Sequence, residues 1–232
     1  MSQLFLVRHG QASFGASNYD QLSSLGYQQA RWLGEHFADL GVKFDRVITG
    51  QLARQQQTAR EILQGAAQSL PLAVDTGFDE FDFHTLAAVY CHSCGMPVPD
   101  TRDGGRLFFQ MLRKAMIAWS HNELHSLHHP VGGHALESWD DFHQRVQHAM
   151  QALCSLDDND ETVLVVSSGG AMAMLLSQVL NCGVETLINL NMQTRNTGIH
   201  HLYFNQRGFQ LAAFNNLPHL QRPDRLHALS YT

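Results

Sequence analysis

The chain has 232 residues, 44% apolar and 16% charged, with a net charge of −6. That is a globular composition with length enough for a full core, and it lacks the surplus of cations a general nucleic-acid binder needs. No apolar run reaches the roughly 18 residues of a membrane span, and 4 cysteines are too few for a disulfide scaffold, so a reducing, cytoplasmic setting is expected.

Residues 4–7, Leu-Phe-Leu-Val, read as a short buried strand that Arg8, His9 and Gly10 bring to an end. A polar loop runs to about residue 24. Ala30, Leu33, Phe37 and Leu40 recur at helical spacing, which predicts a helix over 26–40 stopped by Gly41. A second strand over 46–49, a helix over about 52–64 and a third strand over 70–74 follow. Residues 81–134 break this rhythm with Gly95, Pro97, Pro99, Gly104 and Gly105, one helical stretch over about 107–124, and Gly132-Gly133. This segment, about 81–136, reads as an inserted lid within one domain spanning 1–232. A helix over 137–153 carries Phe142, Val146, Ala149 and Leu153 on one face. Residues 162–167 form the strongest strand, and Ser168-Gly169-Gly170 then opens an apolar helix over 171–180. Two strands, 199–204 and 209–214, flank the turn Asn205-Gln206-Arg207-Gly208 as a late hairpin, and the tail beyond Pro218 reads as irregular. Strands alternating with helices predict an α/β fold, a mostly parallel sheet with helices on both faces in three layers.

Three strand-to-helix junctions carry the polar chemistry. In open α/β sheets ligands bind beyond the carboxyl ends of the strands, so Arg8 and His9 are placed to enter that crevice. An imidazole is a nucleophile near neutral pH, and a guanidinium beside it can grip a phosphoryl group bidentately. The segment Thr49 to Ala59 forms the second junction, where Arg54 near a helix N-terminus offers a second fork. Taken alone, Arg54 reads as a solvated cation. The third junction is Ser167-Ser168-Gly169-Gly170. The convergence of the three at one sheet edge is the signal.

The run Leu6-Val7-Arg8-His9-Gly10-Gln11 resembles the signature of the histidine phosphatase superfamily, in its phosphoglycerate-mutase-like branch. Asp20, Leu22, Gly26, Gln29 and Ala30 are similar to the segment after that signature. Leu52, Arg54, Thr58 and Ala59 are similar to its second-arginine motif, and the run from Phe78 to Phe83 to its acidic motif. Glu137-Ser138 with Phe142 and Arg145 is similar to the segment before its last core strand. The resemblance implies a phosphoglycerate-mutase-like fold. It implies that His9 is the nucleophile, that Arg8 and Arg54 bind the phosphoryl oxygens, and that Glu80 is the general acid and base. Gln11, Ser168 and Gly169 are further candidates to contact phosphate. No cofactor or metal is implied. Phosphomonoester chemistry suits this set, since an alkoxide leaves poorly without a positioned proton.

One departure stands out. The family carries a second histidine after its last core strand, and here that place holds Ser168, a neutral donor. His84, following the acidic motif, is a candidate stand-in for the missing imidazole. A rival zinc reading joins Cys91 and Cys94 to His121 and His125 within a histidine-rich stretch that includes His128, His129 and His134. The run from Cys94 to His121 exceeds the roughly 12–15 residues of a finger, which favours reduced thiols. A serine-nucleophile reading fails because position 166 is Val, breaking G-x-S-x-G. Arg102, Arg106, Arg113 and Lys114 offer contacts to a second anionic group, though by themselves they read as a solvated basic face. The expected function is hydrolysis of a small phosphomonoester through a phosphohistidine at His9. A phosphoglycerate-mutase-type isomerase is one alternative. A weak or inactive binder of a phosphorylated ligand or partner, because of Ser168, is the other. The expected partner is a small phosphorylated substrate, with no nucleic acid and no membrane. Oligomeric state is open.

Overall fold

The computed structural model describes residues 1–13, 20–100, 105–124, 135–154 and 160–231. Its centre is a six-stranded sheet of β1 (Ser2–Arg8), β2 (Arg46–Thr49), β3 (Leu72–Val74), β4 (Thr162–Ser167), β5 (Ile199–Asn205) and β6 (Gly208–Asn216), in the order β3-β2-β4-β1-β5-β6. The first four in that order are parallel, and β5 and β6 run antiparallel. Arg8 pairs with Ser167, and Thr49 pairs with both Val166 and Val74. The carboxyl ends of β1, β2, β3 and β4 therefore finish level, at one edge.

The sheet separates two apolar layers through its period of two. Leu164 and Val166 of β4 face α1 (Ser24–Asp39) and α2 (Ala53–Gly65), packing on Leu33, Phe37 and Ile62. Val163 and Val165 face the other way, toward α3 (Phe83–Ser93), α4 (Arg106–Ser120), α5 (Trp139–Cys154), α6 (Gly169–Leu180) and α7 (Val184–Gln193). The expected three-layer α/β/α fold is present.

Two helices escape the sequence reading. α3 lies where only irregular chain was expected. Its run of apolar residues has no polar face to reveal a helical period, and its start is set by Asp82, whose carboxylate accepts from the N–H groups of His84 and Thr85. α7 buries only Leu187 and Ile188, too few apolar positions to show a period. The segment expected as a lid thus holds two described helices rather than one. Both join the main core, with Trp119 of α4 stacked on Phe142 of α5 at 5.5 Å. The tail is irregular apart from one turn, Leu226–Ala228, yet Leu217, Leu220 and Ala228 are buried against α1. Among the described residues, no helix is long and apolar enough to cross a membrane.

Two histidines are buried beside the start of β5. His200 accepts from the Asn215 N–H at 3.0 Å and stacks on Phe214, and His219 sits 2.8 Å from the Thr197 hydroxyl. Burial lowers the pKa of each to about 3. The folded chain thus refuses protons that the unfolded chain takes up below about pH 6.5. Stability from this source is complete above that value and falls with pH, by about 1.4 kcal/mol per unit per histidine. Denaturant unfolding should show each histidine removing about 2 kcal/mol between pH 6.5 and pH 5. His200→Phe keeps the ring stack and should flatten the slope by that amount. An unchanged slope would contradict the assignment.

Candidate active site

β1 carries Arg8 and His9 to the level edge, where the His9 N–H donates to Ser167 O at 2.9 Å. The chain then passes over the start of α1 at Gly10 and Gly26. A Cβ on Gly10 would lie 2.5 Å from Gly26 O, and one on Gly26 would strike Gln11 O, so only glycines allow this crossing. The Gly10 N–H donates to Thr58 Oγ1 at 2.9 Å, which ties the loop to α2.

The His9 ring is 2% exposed. Its Nδ1 lies 2.7 Å from Gly10 O. A carbonyl only accepts, so Nδ1 carries the proton and Nε2 is left with its lone pair. Arg54 Nε–H donates to that Nε2 at 3.2 Å. Burial, then the charges of Arg54 and Arg8, hold the His9 pKa well below the usual 6.5. The imidazole is neutral at neutral pH, with Nε2 as its nucleophilic atom.

Each arginine is braced. Arg8 Nη1 donates to Thr194 O at 2.5 Å. Arg54 is held by Asp20, whose Oδ1 accepts from Arg54 Nη1 at 2.9 Å while Oδ2 accepts from the Ala53 N–H at 2.9 Å. One carboxylate thus caps the N-terminus of α2 and orients its guanidinium.

Glu80 follows a short turn at Thr76–Phe78. Arg145 of α5 holds that segment, donating to Gly77 O at 3.2 Å and Asp79 O at 2.8 Å, and is itself gripped by both carboxylate oxygens of Glu137 at 2.6 and 3.1 Å. Glu80 Oε2 accepts from the Gly170 N–H at 3.0 Å. Burial raises the Glu80 pKa above the usual 4.5, outweighing the Gly170 hydrogen bond and the two arginine charges. The result is a carboxyl group that keeps its proton further toward neutrality than an ordinary glutamate.

Arg8, His9, Arg54 and Glu80 all line one cavity of about 600 Å³. The other sequence candidates lie elsewhere. Gln11 is outside the lining, with its side-chain oxygen accepting from Ser23 Oγ at 2.8 Å. Ser168 is fully buried and also outside the lining, its Oγ accepting from Gln55 Nε2 at 2.9 Å. Gly169 abuts Asn191 and Arg8 without lining the cavity. The Gly170 N–H is taken up by Glu80. His84 is exposed and outside the lining.

Other lining residues were not foreseen. Asn191 and Met192 come from α7, and Tyr231 comes from the tail. Arg106 and Arg113, expected as a solvated face, line the cavity, whereas Lys114 does not and Arg102 lies outside the described residues. Gln55, adjacent to Arg54 in α2, was the overlooked partner of Ser168, and no sequence period marks it. His125, His128, His129 and His134 lie outside the described residues. Among those described, no group of three or more metal-type ligands comes together.

The model of the histidine phosphatase superfamily, branch 1, matches residues 4–93 and 105–217. The chain belongs to the histidine phosphatase superfamily. A 2,3-bisphosphoglycerate-dependent phosphoglycerate mutase of Sinorhizobium fredii is 26% identical over 208 residues, covering 82% of this chain and 85% of its own. A phosphoserine phosphatase of Entamoeba histolytica, solved with phosphoserine, superposes with a TM-score of 0.64 at 20% identity, covering 95% of this chain and all of that one. A phosphoglycerate mutase of Bacillus anthracis superposes with a TM-score of 0.63 at 17% identity, covering 94% of each chain. These likenesses support the fold, and their names span both mutases and phosphatases of the superfamily.

The Gly170 contact gives a direct test of how Glu80 is held. A Cβ at position 170 would strike Glu80 Oε1 and the Phe81 ring. Gly170→Ala favours the helix by propensity, yet under the phosphatase reading proposed below it should lower kcat on alkyl phosphates by about tenfold to a hundredfold, within the range of a general-acid contribution. Aryl phosphates, which need little protonation, should be affected less. Steady-state kinetics on both ester types, beside a thermal melt, check this.

Proposed function

We propose that this chain is a phosphatase that hydrolyses a small-molecule phosphomonoester through a phosphohistidine at His9. The observation that carries the reading is the buried His9 ring, with Nδ1–H fixed on Gly10 O and Nε2 facing the Arg54 guanidinium. A bound phosphoryl group takes over the Arg54 Nε–H donation and releases the Nε2 lone pair. Arg8 and Arg54 then hold the equatorial oxygens and place phosphorus within attacking distance.

The Nε2 lone pair forms a bond to phosphorus as the bond to the ester oxygen breaks. The Glu80 proton moves to that oxygen, and the alcohol departs. Glu80, now a carboxylate, takes a proton from water, whose oxygen attacks phosphorus. The N–P bond breaks, its electron pair returns to Nε2, and inorganic phosphate leaves. Glu80 ends protonated, as it began.

A second reading rests on Ser168. Its hydroxyl oxygen is engaged by Gln55 and withdrawn from the cavity lining, so it contributes no cationic donor to the phosphoryl group. A chain disabled in this way would bind a phosphorylated ligand and turn it over slowly or not at all. Ser168→His together with Gln55→Ala, which clears the space, separates the readings. A large rise in kcat with unchanged affinity, over a nearly silent wild type, favours the binder.

The experiment for the phosphatase reading is hydrolysis of an aryl phosphate by wild type and His9→Ala. Wild type should turn over and form an acid-labile, base-stable phosphoryl adduct, and His9→Ala should do neither. Silence of both would contradict the reading. The pH profile is a further test. The His9 pKa is lowered and the Glu80 pKa raised, so the pH window with neutral imidazole and protonated carboxyl widens, on its acid side through His9 and on its alkaline side through Glu80. Glu80→Gln should abolish the alkaline limb and reduce kcat on alkyl esters by about 10² to 10³.

A further inference from the structure

The cavity is far larger than a phosphoryl group needs, and its remaining wall is specific in character. The leaving-group oxygen lies beside Glu80, so the organic part of the ester extends past that carboxyl. The wall beyond it is mostly apolar, with Arg106, Gln110, Arg113 and Asn191 as its polar members. Phe81 follows Glu80 directly and Phe83 lies two residues further on, Phe108, Phe109 and Leu112 come from α4, and Met192 comes from α7. Phe108, Leu112 and Phe81 are also rooted in the main core, which fixes this wall in place.

The cations of the lining are distributed unevenly. Arg8 and Arg54 flank His9 and belong to the phosphoryl group. Arg106 is exposed at the first residue of α4, and Arg113 donates to Asn189 Oδ1 at 2.6 Å. A short polyanionic leaving group would bring its charge against phenyl rings, where desolvation is unfavourable. A ring or branched chain would bury apolar surface there.

Resting on the phosphatase reading, we infer that the substrate is a phosphomonoester with a bulky apolar, ring-bearing leaving group, and that Phe83 and Phe109 select it. Phe81 and Phe108 form the floor of the same recess, while Phe83 and Phe109 are only partly buried and line it.

The test compares phenethyl phosphate with phosphoserine, both primary alkyl esters, so that leaving-group strength differs little. Wild type should prefer phenethyl phosphate by about 10- to 100-fold in kcat/KM, the range that burying one ring supplies. Phe83→Ala and Phe109→Ala should each lower that value by about tenfold, mainly through KM, and so narrow the preference over phosphoserine. Calorimetry of phenethylphosphonate against phosphonoacetate, on wild type and His9→Ala, reads the same preference without chemistry. Preference for the polar ligand in both assays, or binding of neither phosphonate, overturns the inference. Preference for phosphoserine with normal turnover leaves the phosphatase reading intact. Tight phenethylphosphonate binding with no ester hydrolysed supports the inference and contradicts the phosphatase reading.

Discussion

One buried imidazole between two guanidiniums sets the terms for the rest of the site. His9 is useful as a nucleophile only while neutral. Burial and the flanking charges of Arg54 and Arg8 all disfavour its protonation. Bringing two cations together beside a buried ring is unfavourable unless counter-charge is supplied. Asp20 supplies part of it at Arg54, and an incoming phosphoryl group would supply more. The same charges that keep the imidazole neutral would attract the phosphoryl group of the proposed reaction. The level carboxyl ends of the parallel strands are what bring these groups to one edge.

The acid side of the site has a different construction. Glu80 is supported by backbone rather than by paired side chains. Arg145 holds the carbonyls just before it, and Gly170 at the start of α6 offers an N–H and leaves space. The Gln55–Ser168 hydrogen bond lies behind this arrangement and joins α2 to the end of β4. Both residues are fully buried and bonded to one another, so they form one packing unit.

Much of this was readable in the sequence, and the reasons differ by element. β4 was plain because five β-branched or apolar residues run from Thr162 to Val166, the pattern of a buried strand. The convergence of Arg8, His9, Arg54 and Glu80 was readable because each follows a recognisable strand or motif. α3 was hidden because a helix buried on most sides shows no period. α7 was hidden because it buries too little. Tyr231 reaches the cavity by tertiary packing of the tail, and the tail's position depends on contacts such as Gln29 Nε2 with Ala228 O at 2.7 Å. No local pattern could announce that. The roles of Gly170 and Gln55 also depend on neighbours distant in the chain. For Ser168, identity alone did not reveal that its hydroxyl is engaged from behind.

The central claim concerns a proton: His9 is neutral, with hydrogen on Nδ1 and a lone pair on Nε2. Nitrogen NMR of the selectively labelled chain, titrated from pH 8 to pH 5, reads this directly. The account predicts an Nδ1–H tautomer at high pH and a titration midpoint well below the 6.5 of a free imidazole. A ring that titrates near pH 6.5, or one that carries its hydrogen on Nε2, would contradict it.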